Sequence, residues 1–469
     1  MITTLIVIFL IGYICIALEH PLKVDKSATA LVLGMVLWVL YALFAEYIVP
    51  IAEGKELLDY VAAHPALKNE SLHKQALDYI VNCKIIESLG DTTQTLFFLI
   101  GAMTIVELVD VHGGFSVVTD HITTRNKRKL LWVICIVTFI FSTVLDNMTT
   151  TIVMVLLLRK LVEDKHERWL YAGMVVIAAN TGGAWSPIGD VTTIMLWVDG
   201  NVTSGALIEF VLLPSVVAMI VPLLGITFRL KGQLTPVHHA PSESSEIITK
   251  GQRTAIFLLG VGGLIFVPVF KTLTHLPPFV GMLLVLGILW VYMEIFYDRK
   301  HLNSEQEYRL PRVIKRIDMP SILFFLGILM AVSVLEASGI LHMCAQWLNE
   351  TMHDPYLINI ILGAMSSIFD NVPLVAGVIG MYPVTDAAAT GYDAFFMVDG
   401  VFWEFLSYCA GVGGSLLIIG SAAGVIAMGL EKMSFGWYLK RFSLWALLGY
   451  LAGAGVYIAE CVLMKGSPL

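Results

Sequence analysis

Charge is what this sequence has least of. Only 14% of its 469 residues are Asp, Glu, Lys or Arg, against 57% hydrophobic, and the mean hydropathy is +0.80. A soluble chain carries roughly a quarter charged residues, so the composition excludes a soluble protein and indicates a polytopic helical membrane protein. Cysteines are few as well: Cys15, Cys83, Cys135, Cys344, Cys409 and Cys461 are scattered with no CxxC pair, which argues against a metal centre and against a disulfide framework. No GxxxxGK[ST] stretch occurs, so a nucleotide-driven pump is not expected, and no catalytic constellation marks an enzyme. The net charge of −8 sits mostly in loops and points to no nucleic-acid partner. The first apolar run, Ile2 to Leu18, has neither a basic leading segment nor a small-x-small cleavage site, so it reads as a retained helix.

Long apolar runs are there in quantity. Those of spanning length lie near 2–18, 28–48, 92–110, 169–198, 205–228, 254–271, 279–297, 320–340, 402–428 and 437–462. They are continuous rather than alternating, the helical and not the β-barrel signature. Two more runs, about 130–158 and 355–382, each contain an Asp-Asn pair: Ser142-Thr-Val-Leu-Asp146-Asn147 and Ser366-Ser-Ile-Phe-Asp370-Asn371, 224 positions apart. Loop charge decides how these two runs are threaded. If each is a re-entrant hairpin and the amino terminus is outside, the inside loops hold all of the 29 basic residues except Lys55, Lys68, Lys74, Lys84, Lys271 and Lys465. The first four of these exceptions fall in the long loop before residue 92, where charge counts weakly. A single crossing of the first run would instead force the basic loops 125–129 and 159–168 onto opposite faces.

The expected architecture is therefore all-α, with ten transmembrane spans and two re-entrant hairpins. Three landmarks repeat in order, Phe97-Phe-Leu-Ile-Gly with Phe324-Phe-Leu-Gly, the two Asp-Asn pairs, and Asn180-Thr-Gly-Gly-Ala-Trp-Ser-Pro-Ile-Gly189 with Gly411-Val-Gly-Gly-Ser-Leu-Leu-Ile-Ile-Gly420, at offsets of 227, 224 and 231. Residues 1–228 form the first repeat, with its hairpin entering from the cytoplasm; 229–253 form a polar cytoplasmic linker; 254–469 form the second repeat, with its hairpin entering from outside. Five spans per half invert the second copy, the plan of secondary transporters.

The chemistry gathers at hairpin tips and helix breakers. Asn180, Thr181, Gly182, Gly183 and Pro187, and in the second half Gly411, Gly413, Gly414 and Ser415, interrupt apolar spans, and unwound backbone offers carbonyls to a cation. The blander reading is close packing of small residues. Asp146 and Asp370 can each cap a helix with one carboxyl oxygen, but a charge in an apolar segment is costly and reads as functional by default. Hard cations prefer carboxylate, carbonyl and hydroxyl oxygens, and Ser142, Thr149, Thr150, Ser366 and Ser367 could add neutral ones, with back-bonding to their own helix as the alternative. Asp190 follows the first break and has no acidic counterpart, since Ser421 stands there. A desolvated carboxylate can hold a proton at neutral pH and release it when a cation arrives. Glu107 and Glu336 lie near helix ends, the histidines in loops or at span ends, and no Lys or Arg is expected inside a span.

These motifs over nearly the whole chain resemble the NhaD-type sodium/proton antiporters of the ion transporter superfamily. Relatives there move dicarboxylates, citrate or arsenite and share two opposed hairpins between a transport and a scaffold domain, and the dicarboxylate carriers have neutral Ser-Asn-Thr tips where this chain has Asp. The resemblance implies exchange of cytoplasmic Na+ or Li+ for external H+, with no cofactor, in the inner (plasma) membrane, as a homodimer with both termini on the non-cytoplasmic side. It further implies an ion and proton site of Asp146, Asn147, Asn180, Asp190, Asp370 and Asn371, with Na+ at Asp146, Asp370 and Asn180. Ser142, Thr149, Ser366 and Ser415 would support it. A carrier of an organic or inorganic anion on the same fold is the alternative.

Overall fold

The computed structural model describes residues 1–17, 22–115, 117, 122, 124–234, 249–299, 310–352, 354–368 and 371–464. In chain order the helices are α1 (Ile2–Ala17), α2 (Lys26–Leu43), α3 (Ala45–Ala52), α4 (Gly54–Ala63), α5 (Leu72–Tyr79) and α6 (Ile85–Val111). Then come α7 (Lys127–Leu145), α8 (Asn147–Leu161), α9 (Lys165–Gly183), α10 (Val191–Asp199) and α11 (Leu212–Thr227). The remainder are α12 (Lys250–Thr274), α13 (Pro278–Arg299), α14 (Met319–Ala337), α15 (Ile340–Met352), α16 (Pro355–Ser366), α17 (Asn371–Met381), α18 (Val401–Gly413), α19 (Ala422–Glu431) and α20 (Leu444–Met464). Among the described residues β-pairing is limited to two isolated bridges.

Eight helical stretches among the described residues are long and apolar enough to cross a membrane. They are α2, the continuous stretch Leu72–Val111, α7, Ser204–Thr227, α12, α13, α14 and Phe435–Met464. The other expected spans differ for stated reasons. α1 is a 16-residue helix, short of the usual spanning length of about 20, while the runs 169–198 and 402–428 are each cut in two, at 184–190 and 414–421. The break in each comes where the sequence places its glycine cluster, joined in the first by Pro187.

Two expectations are corrected. The long loop before residue 92 is largely helical, and a π-helical turn at Ile80–Lys84 joins α5 to α6, so Phe97 sits in mid-helix and does not open one. Lys84 consequently lies inside an apolar helical stretch, contrary to a span free of basic residues. Its ammonium is neutralised by Glu53 at 2.8 Å and Glu87 at 3.3 Å. Lys271 likewise falls in the last turn of α12, donating to the Trp197 carbonyl and lying 4.6 Å over the Trp197 ring.

The chain forms two compact units. One comprises Met1–Phe97, Asp318–Asp354 and Val372–Pro383. In it α2 and α14 pack at backbone contact, because Gly34 faces the Gly327 carbonyl and any Cβ there would overlap it. The other comprises Phe98–Ile317, Pro355–Asn371 and Val384–Leu469. It contains both broken helices, and π-helical turns at Leu207–Val211 and Leu439–Ser443 precede α11 and α20 at nearly the same repeat offset.

Candidate functional site

The two breaks share one backbone solution. α9 ends at Gly183 and α10 is capped by Asp190 at φ −144°, ψ 148°, whose carboxylate accepts from the Thr192 N–H at 3.2 Å. α18 ends at Gly413 and α19 is capped by Ser421 at φ −144°, ψ 152°, whose hydroxyl accepts from the Gly424 N–H at 3.2 Å. An N-cap side chain satisfies amides that the first turn leaves without partners. The acid and the serine therefore do the same local job 231 positions apart.

Each break is fastened to the preceding helix pair by a matching set of contacts. Ser142 on α7 donates to the Ala179 carbonyl at 2.6 Å, and Ser366 on α16 to the Ala410 carbonyl at 2.9 Å. Gly182 lies against the Phe139 carbonyl and Gly413 against that of Gly363, so a Cβ on either glycine would overlap an oxygen. The close-packing reading of these glycines is thus realised together with the break, not instead of it.

Between α7 and α8 the chain turns at Asp146, with φ 72° and ψ 156°. That region is otherwise almost confined to glycine and costs of order 1–3 kcal/mol. Both carboxylate oxygens are engaged by one residue, since Oδ1 accepts from the Thr149 N–H and Oδ2 from its hydroxyl, each at 2.8 Å. One oxygen therefore caps α8, as expected, and the other accepts the Thr149 hydroxyl. Asp370 lies outside the described residues.

The residues after the two tips meet at the first break. Asn147, 4% exposed, donates from Nδ2 to Asp190 Oδ2 at 2.8 Å and to Asn180 Oδ1 at 3.1 Å. Asn371 Nδ2 approaches the same carboxylate at 3.4 Å. Asn180, fully buried, donates onward to Ser415 Oγ at 2.9 Å and Ser421 Oγ at 2.8 Å. Asn147 and Asn371 thus donate to Asp190, itself 1% exposed, and Asn147 links it through Asn180 to Ser415 and Ser421. A buried carboxylate needs such donors, and the arrangement leaves a centre whose charge one proton or one monovalent cation would cancel.

Among the other predicted residues, Thr150 is buried and its hydroxyl has no hydrogen-bond partner among the described residues. Thr181 donates back to the Ile177 carbonyl at 2.8 Å and Ser367 to that of Ala364 at 2.6 Å, the back-bonding alternative. Glu107 stands apart, 3.8 Å from Arg316, and Glu336 is in α14 of the other unit. Ser421 was not singled out as a ligand; its one signal is its place at the Asp190 offset.

A sequence model of the family described as "Citrate transporter" matches residues 9–400. Two proteins of Arabidopsis thaliana are similar over nearly the whole chain. "Sodium/proton antiporter 2" is 40% identical over 458 residues, 96% of this chain and 98% of that protein. "Sodium/proton antiporter 1" is 42% identical over 457 residues, 96% of this chain and 71% of that protein. "Na(+)/H(+) antiporter NhaD" of Halomonas elongata is 28% identical over 492 residues, 97% of this chain and 87% of that protein.

Proposed function

From a chain that belongs to the citrate transporter family, we infer a sodium/proton antiporter of the NhaD type that exchanges cytoplasmic Na+ for external H+. The observation that supports this reading is the buried Asp190, to which Asn147 and Asn371 donate and which Asn147 connects, through Asn180, to Ser415 and Ser421. In this reading Asp190 holds the proton or the Na+, never both, and Asn147, Asn180, Asn371, Ser415 and Ser421 supply neutral oxygens or orient those that do. Competition for one carboxylate is enough to couple the two ions. Asp146 and Asp370 add negative potential at tips of re-entrant hairpins between ten spans, and alternating access carries the assembled site past a scaffold. A homodimer in the plasma membrane, with Li+ as an alternative substrate, completes the proposal. An anion carrier is disfavoured because the stretches 130–158, 169–199, 355–382 and 401–431 contain no Lys or Arg.

The test is fluorescence dequenching of acidified everted vesicles on adding Na+, Li+, K+ or citrate. Na+ should dequench and citrate should not, and Asp190→Asn should lower the response at least about tenfold, a loss of roughly 1.4 kcal/mol or more. Full Na+-dependent proton movement by Asp190→Asn, or a response to citrate alone, would overturn it.

A further inference from the structure

A cleft of about 310 Å³ lies in the larger unit between α7 and α12, walled by Ile140, Phe141 and Val144 on one side and Phe257, Val261 and Ile265 on the other. Among the described residues its wall carries no polar side chain, and a space of this size and chemistry takes an apolar guest. Two lining residues, Ile140 at 57% and Ile265 at 53% exposure, open it to the surroundings of helices that are long and apolar enough to cross a membrane. Those surroundings are hydrocarbon.

The end of the cleft is charged. Arg253, Phe257, Val261 and Ile265 are spaced four apart on α12 and share one ridge, which puts Arg253 about 6 Å below Phe257. Its guanidinium rests on bare backbone at Gly113 (φ 68°), where a Cβ would come within 3.7 Å of its Nε, and its buried Nε has no hydrogen-bond partner among the described residues. Arg125, Arg128 and Lys129 stand at the start of α7 and Lys250 at the start of α12.

We propose that this cleft binds an anionic glycerophospholipid, with one acyl chain against Phe141 and Val261 and the phosphate at Arg253. The site is independent of the ion chemistry, yet its α7 wall is the last two turns before Asp146, so the bound chain props the arm that carries the tip. An anionic lipid fits better than a zwitterionic one because a guanidinium recognises phosphate by charge-assisted hydrogen bonds and basic clusters at a membrane face favour acidic headgroups.

The full-length purified protein, stripped of lipid in detergent, is titrated with dioleoyl phosphatidylglycerol or dioleoyl phosphatidylcholine, reading Tm and bound lipid by native mass spectrometry. Phosphatidylglycerol should raise Tm saturably and bind at least severalfold more tightly. Val261→Trp, which fills the cleft, should abolish that binding. Arg253→Gln should reduce phosphatidylglycerol to the level of phosphatidylcholine, and it decides the matter alone if the tryptophan variant does not fold. Absence of saturable binding, as for a water-filled vestibule, would overturn the proposal. So would undiminished binding to folded Val261→Trp, or an unchanged lipid preference in Arg253→Gln.

Discussion

Asp190 and Ser421 cap α10 and α19 with the same backbone angles, and only one of them can carry charge. That inequality leaves Asp190 as the one carboxylate of the two caps, although the sequence repeats its Asp-Asn pair in both halves. Asp146 is a different kind of residue, a charged side chain in a conformation suited to glycine. Replacement by glycine relieves strain of order 1–3 kcal/mol and forfeits only a few tenths as an N-cap. Asp146→Gly is therefore expected to raise or preserve thermal stability while weakening Na+-dependent proton movement. A variant that is both destabilised and fully active would mean that the aspartate serves as a cap and nothing more.

At the scale of elements, the broken helices depend on glycines that admit a neighbouring carbonyl. Gly182→Ala and Gly413→Ala should each cost about 1–3 kcal/mol through overpacking, whereas Gly287→Ala on α13, with open space around it, should be neutral or slightly stabilising. Thermal unfolding of the three in one detergent checks the ranking, and equal Tm values would refute the carbonyl contacts. The same glycines explain what was legible beforehand. Glycines in an apolar run are local signals, and their recurrence at one offset marked both breaks. The helices α3 to α5 and the position of Lys84 were not legible, because the nearer of the two carboxylates that neutralise Lys84 belongs to Glu53, 31 residues away. Ser421 escaped notice for the opposite reason: serine is ordinary anywhere, and only its partner Asn180 gives it meaning.

Across the whole molecule, these contacts fall into two classes according to whether they stay within residues 1–228 or 254–469, the two repeats expected from the sequence, or join them. The Ser142, Ser366, Gly182 and Gly413 contacts lie within a repeat, whereas Asn180 to Ser415 and Ser421, and Asn371 to Asp190, join one repeat to the other. So does the fully buried Glu431, held by Arg159 at 2.9 Å and Arg168 at 2.6 Å, with Trp169 donating to its carbonyl at 3.0 Å. Leaving either side of such a buried ion cluster unpaired costs roughly 3–5 kcal/mol, a strong incentive for the halves to stay together. Co-expressed as two polypeptides cut between residues 234 and 249, the halves should co-purify and restore Na+-dependent proton movement, and neither alone should give any. Failure to co-purify would mean that the covalent connection is itself required. In genetic terms, a half-length gene could encode the serine and glycine fastenings by itself, whereas the Asn180–Ser415, Asn180–Ser421 and Asn371–Asp190 bonds need both halves present.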